Sequence, residues 1–151
     1  MILIAHRGNI NGSKPELENC PKYIDEAIEK EFNVEIDVWY KYGHFYLGHD
    51  KPVYHVDLEW LLYRADVLWV HAKNLDALVA LKDTALNIFW HQNDEYTLTS
   101  KGYIWAYPTS EVNQKVIIVD DYFTPHLVKE AGGICSNNIQ FHKDKLYELA
   151  L

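Results

Sequence analysis

Apolar positions recur along this chain in two alternating periods. Residues 2–5 form a short apolar run that ends at His6-Arg7-Gly8 and predicts a first strand. A polar loop runs from Asn9 to Asn19. Pro21 then stands at a first helical position, and Tyr23, Ile24, Ala27 and Ile28 share one helical face. Val34, Ile36, Val38 and Tyr40 alternate with Glu35, Asp37 and Trp39, which is the period of a strand. Residues 45–47 predict the return arm of a hairpin turned near Gly43. Asp57 predicts the cap of a helix carrying Leu58, Leu61, Leu62 and Ala65, and Asn74 the cap of one carrying Leu75, Leu78, Val79 and Leu81. Further strands are predicted at 67–70, 86–90, 103–107, 116–119 and 134–135, with residues 96–99 as one more if they pair. Thr124-Pro125 opens a short helix with Leu127 and Val128, Gly132 closes it, and Leu146, Tyr147 and Ala150 belong to a terminal helix.

Strand and helix periods in alternation predict a parallel sheet covered by helices. A (β/α)8 barrel usually takes about 250 residues. Eight units in 151 residues leave about 19 residues each, too few for a helix after every strand. The expected fold is therefore α/β, a compact TIM-type (β/α) barrel in one domain spanning residues 1–151, with several helices reduced to loops between residues 90 and 120. Missing helices would leave barrel wall bare. A homodimer would cover it, and 5 Trp and 11 Tyr would suit such a surface.

Charge narrows the partners. Fourteen Lys and Arg against 22 Asp and Glu give a net charge of −8, which argues against nucleic-acid binding through overall charge. A phosphate site here needs local cations or a metal. No apolar run approaches the roughly 18 residues of a membrane span, and the opening residues lack the basic region of a signal peptide. Cys20 and Cys135 make no disulfide framework, so the expectation is reduced thiols in a cytoplasmic protein.

In α/β folds the carboxyl ends of the strands build the site, and polar residues concentrate at those ends here. His6-Arg7 ends the first strand. Glu35 and Asp37, two apart, point to one face of the second. If Val34, Ile36 and Val38 face the helices, both acids point inward, where they are costly without a neutralising cation. A hard divalent metal is the simplest such cation. His49-Asp50 follows the hairpin, His71 and Lys73 lie two apart on the third strand, and His91-Gln92 ends the fourth. His44, His55, His126 and His142 are expected at the surface, and Asp120-Asp121 in a solvated turn.

The set resembles the glycerophosphodiester phosphodiesterase family, within the superfamily of phospholipase-C-like phosphodiesterases. Ala5-His6-Arg7-Gly8 is similar to the family's opening His-Arg-Gly. Pro15-Glu16-Leu17-Glu18-Asn19 is similar to its Pro-Glu-Asn with an insertion. Glu35-Ile36-Asp37 and Gly48-His49-Asp50 match its Glu-x-Asp strand and its His-Asp. Gly133-Ile134-Cys135-Ser136-Asn137 is similar to its closing Gly-Ile-x-Thr-Asp, with Asn137 replacing the acid, and Tyr103-Ile104-Trp105 to a late Trp-bearing strand.

The resemblance implies metal-assisted hydrolysis of a small glycerophosphodiester-like substrate. In it His6 and His49 are the acid/base pair, Arg7, Lys73 and Trp105 contact substrate, and Glu35 and Asp37 bind Mg2+ or Ca2+. On the third strand the family has Glu-x-Lys, with the Glu a metal ligand, where this chain has His71-Ala72-Lys73. Imidazole is a poor ligand for Mg2+ or Ca2+ and a better one for Mn2+ or Zn2+. Three arrangements stay open: His71 ligates a softer metal; Glu18 or His91 completes a hard-metal site; or no metal binds and the acids pair with Arg7 or Lys73. An alternative function is a non-catalytic module that holds a phosphate or sugar phosphate on a degenerate barrel.

Overall fold

The computed structural model describes residues 1–109 and 111–150. Its elements follow in chain order as β1 (Ile2–His6), α1 (Pro21–Glu29), β2 (Asn33–Lys41), β3 (His44–Leu47), β4 (Tyr54–Val56), α2 (Leu58–Tyr63), β5 (Leu68–Ala72), α3 (Leu75–Leu81), β6 (Asn87–Phe89), β7 (Tyr96–Leu98), β8 (Ile104–Ala106), β9 (Val116–Val119), α4 (Pro125–Val128), β10 (Gly133–Ser136) and α5 (Ile139–Glu148). Local chemistry explains the boundaries. Pro21 opens α1, and the side chains of Asp57 and Asn74 accept from the backbone N–H groups of Trp60 and Ala77 to cap α2 and α3. Tyr42 and Gly43 both take positive φ, 53° and 77°, which suits a two-residue hairpin turn between β2 and β3.

Parallel ladders run in the order β6-β5-β2-β1-β10-β9-β8. The β3–β4 hairpin extends the far end of β2 antiparallel, and β7 pairs antiparallel with β8. This strand order is the cyclic order of a βα barrel, but the ring does not close. Among the described residues no ladder joins β6 to β8, so the sheet is a curled half-barrel rather than the closed TIM-type barrel expected. The cause is legible locally. Gln92-Asn93-Asp94-Glu95 offers no apolar stripe for a helix to dock, and the chain returns as the short strand β7 instead. Ser100 bridges the opening with its backbone and its hydroxyl. Ser100 N–H donates to Ile88 O (2.8 Å), Ile88 N–H donates to Ser100 Oγ (2.8 Å), and Ser100 Oγ donates to Leu86 O (3.1 Å). Inside, Phe89 of β6 stacks on Trp105 of β8 with centroids 4.5 Å apart.

The curled sheet separates two apolar clusters. The outer one packs Val34, Ile36, Val38, Val70 and Ile134 against Ile24, Leu61, Leu81 and Ile139 of the helices. The inner one holds Ile4, Trp69, Phe89, Trp105, Ile117 and Cys135. As expected, no described helix lies between Phe89 and Pro125. Both cysteines are free, and no described helix is long and apolar enough to cross a membrane. His142 departs from expectation. It is fully buried on α5 between Ile139 and Leu146, because 139, 142 and 146 share the face that packs inward.

Candidate active site

The polar ends of the inner face converge on one cavity of about 470 Å3. Its lining includes His6, Arg7, Glu35, His49, His71, His91, Trp105, Tyr107, Asp121 and Asn137. Alternation on β2 puts Val34, Ile36 and Val38 in the outer cluster, so Glu35 and Asp37 face inward, 2% and 1% exposed. One carboxylate oxygen of each, Glu35 Oε2 and Asp37 Oδ1, is buried without a hydrogen-bond partner. Such groups are rare and costly in a folded interior. His71 lies directly beside Asp37 in the β2–β5 ladder. Ligand atoms from Glu35, Asp37 and His71 all lie within 4.8 Å of one another. Two carboxylates with unshared oxygens and one imidazole are a donor set that fits a divalent cation.

Cations of the chain surround the acids without completing them. Arg7 Nη1 donates to Glu18 Oε1 (3.1 Å), and Arg7 Nε lies 3.3 Å from Asp37 Oδ2. Lys73 Nζ reaches only to 4.0 Å from Asp37 Oδ1. Asn19 fastens Asp37 from the other side: its Nδ2 donates to Asp37 Oδ2 (2.9 Å) and its Oδ1 accepts from Asp37 N–H (3.0 Å). Arg7 and Asn19 both hold left-handed φ, 56° and 64°, a conformation that costs an arginine about 1–2 kcal/mol, and Asn19 N–H donates to Arg7 O. Glu18, a proposed ligand in the sequence reading, instead accepts from Arg7 and from Ser13 Oγ (3.0 Å) and is not part of the three-residue group.

A chain of hydrogen bonds fixes the His6 ring. Lys14 N–H is an unambiguous donor, and it bonds Asn9 Oδ1 (3.2 Å), so Asn9 Nδ2 is the donor to Asn137 Oδ1 (2.9 Å). Asn137 Nδ2 in turn donates to Asp121 Oδ2 (3.0 Å). Asn137 Oδ1 therefore also accepts from His6 Nδ1 (2.9 Å), which must carry its hydrogen. The Nε2 lone pair is left on the cavity side, 3.5 Å from Glu35 Oε2. His49 follows Gly48, whose φ of 154° and tight packing against the Lys51 carbonyl admit no side chain. Its Nδ1 pairs with Asp50 Oδ1 (2.7 Å), and its side chain is 41% exposed at the cavity mouth.

Environment sets the protonation states. Burial and the Arg7 charge hold His6 below its ordinary value, which favours the neutral, proton-accepting form. Burial and the neighbouring Asp37 push Glu35 well up. Burial also works against ionised Asp37, but His71, Arg7 and Asn19 outweigh it and hold Asp37 low. Asp121 is likewise held low, because bonds from Asn137 and Ser136 overcome its burial. Cys135, on the inner wall, is pushed well up by burial.

The structure thus gathers His6, Arg7, Glu35, His49, His71 and Trp105 around one cavity, with Asp37 buried beside Arg7 and His71 and Lys73 4.0 Å from Asp37. Sequence reasoning missed Asn19 as the Asp37 partner, and it placed Asp121 in a solvated turn, where the structure seats it under Asn137. Asp120 is 8% exposed and accepts from the backbone N–H groups of Tyr122 and Thr124, which makes it a turn residue. Comparison of the chain with family models, curated proteins and solved structures found no match to any.

Proposed function

We propose that the chain is a phosphodiester hydrolase acting on a small, glycerophosphodiester-like substrate. The observation that carries this reading is one cavity lined by His6 and His49 beside a buried carboxylate pair with unshared oxygens. His6 Nε2 is placed to take the proton from the attacking hydroxyl. That hydroxyl belongs to water or to a neighbouring alcohol of the substrate. As the attacking oxygen bonds phosphorus, the bond to the leaving alcohol breaks, and His49 supplies the proton to the departing oxygen. Asn137 and Asp121 keep the His6 proton on Nδ1. Arg7, pinned by Glu18 and Asp37, and Lys73 supply positive charge to the phosphate. Glu35 and Asp37, with His71, would hold a divalent cation that neutralises nonbridging oxygens. Trp105 offers an apolar wall for the substrate body.

Hydrolysis of bis(p-nitrophenyl) phosphate and of glycerophosphocholine by chelator-stripped protein, with Mg2+, Ca2+, Mn2+ or Zn2+ returned singly, tests the proposal. Turnover should return with a cation, and His6→Ala should lower kcat by roughly 10²–10⁴-fold with the fold intact. No turnover with any cation on either ester would overturn hydrolysis of this class. Retained calorimetric binding of inorganic phosphate would then support the module that holds phosphate without cutting it.

A further inference from the structure

Two carboxylates alone accommodate many divalent ions, and the third member of the group decides which. Asp37 and His71 are register partners in adjacent strands, so their side chains leave the sheet side by side on the inner face. The His71 ring is fixed twice. It stacks on Phe89, with centroids 5.1 Å apart and planes 12° from parallel. Its Nε2 lies 3.1 Å from the backbone carbonyl oxygen of His91. A carbonyl oxygen can only accept, so Nε2 carries the hydrogen. Nδ1 is the atom that faces Asp37 Oδ1, at 3.4 Å: carrying a proton it pairs with that carboxylate, and when a cation takes the proton's place its lone pair is the one free for coordination. A carbonyl behind an imidazole is the arrangement that sets the tautomer and orientation of metal-ligating histidines.

The competing arrangements lose support from the same geometry. Glu18 is engaged by Arg7 and Ser13. If Arg7 and Lys73 were the intended neutralisers, the acids would be satisfied by them. Glu35 Oε2 and Asp37 Oδ1 are instead both buried without a hydrogen bond. From His91 it is the backbone oxygen, not the ring, that meets this group.

We infer that Glu35, Asp37 and Nδ1 of His71 form a mixed oxygen–nitrogen centre that selects a borderline divalent transition ion, Mn2+ or Zn2+, over Mg2+ and Ca2+. The latter two prefer all-oxygen shells, whereas imidazole suits the former. The inference rests on the acids being a cation site, as in the proposed function, but not on cleavage of any diester.

The test therefore reads metal binding without substrate. Chelator-stripped protein is loaded with Mn2+ and examined by pulsed EPR for coupling to a coordinated imidazole nitrogen, with Mg2+ and Ca2+ as competitors. The wild type should show nitrogen coupling and keep its Mn2+ against equimolar Mg2+ or Ca2+. His71→Glu should lose the coupling and still bind Mn2+. Its preference for Mn2+ over Mg2+ should fall by roughly 10-fold or more, the scale seen when even an outer-shell partner of a ligand is lost. His91→Gln should keep the coupling, since only the backbone of that residue is used. Absence of coupling in the wild type overturns the inference without recourse to any variant. Persistence of coupling in His71→Glu, its loss in His91→Gln, or displacement of wild-type Mn2+ by equimolar Mg2+ or Ca2+ also overturns it. Failure to bind any divalent ion would overturn the cation site itself. Ion binding without diester turnover would leave this inference standing and remove only the hydrolase.

Discussion

Asn137 stands where three polar lines cross, and Asn137→Leu cuts all three. Leucine keeps the branched shape and removes both polar atoms. The bonds lost are those from His6 Nδ1 and Asn9 Nδ2 to Oδ1, and from Nδ2 to Asp121. Neutral hydrogen bonds contribute about 1 kcal/mol net each, and one to a carboxylate about 2, so the loss is about 4 kcal/mol. Asn9 is fully buried, so its amide cannot turn to water for a replacement. Asp121 keeps the Asn137 N–H (2.7 Å) and the Ser136 hydroxyl (2.9 Å), which confines the damage to the His6 side. At about 2–4 °C per kcal/mol for a chain of this size, Tm should fall by roughly 10 °C. In long-range 1H–15N NMR spectra, neutral His6 of the wild type should show its hydrogen on Nδ1, and the variant should show mixed tautomers. The Asn137 bond favours the charged ring, so the His6 pKa should move further down in the variant. A variant within 1 kcal/mol of wild type that retains the Nδ1–H pattern would refute the hydrogen-bond chain as the cause of the tautomer.

The bridge across the open ladder gives a second prediction. Ser100→Ala leaves the buried Ile88 N–H unpaired and should cost about 1–3 kcal/mol in denaturant unfolding; unchanged stability, with Ile88 still protected in hydrogen exchange, would mean that something else holds the seam. The third concerns acid. Asp121 has its folded pKa held below the unfolded value. Its stabilisation is therefore complete above about pH 4 and is lost as pH falls through the folded value. Asp121→Asn should flatten the acid limb of Tm against pH, and an identical limb in both proteins would contradict the role given to that carboxylate.

Much of the site was legible because it depends on short periods. The alternation around Glu35 and Asp37 put both acids on one face, the inner one on condition that Val34, Ile36 and Val38 met the helices, and the two-residue spacing of His71 and Lys73 put that pair on one face as well. Asp57, Asn74 and Pro21 declared helix starts through chemistry confined to one turn. The illegible parts are those decided across the sheet. Strand β4 is three residues long, too short to show a period. Barrel closure depends on whether β6 and β8 meet, which no local pattern records. Asp121 gains its role only when β10 brings Asn137 over it. His142 is a different case, because the 139, 142, 146 spacing was visible and the residue type argued against reading it as core.

The open ladder has a consequence for how this cavity can change. In a closed barrel, strand number and shear together dictate the radius. Widening such a site means re-registering strands. Here one lip of the cavity, at His91, follows β6, and the other, at Trp105 and Tyr107, belongs to and follows β8, with no backbone ladder between the two among the described residues. Their separation is set by the thickness of the stacked Phe89 and Trp105 rings, by the Ser100 hydroxyl and by the single backbone bond from Ser100 N–H to Ile88 O. The bore of the pocket is therefore a side-chain variable, open to adjustment by single substitutions that leave every strand register in place.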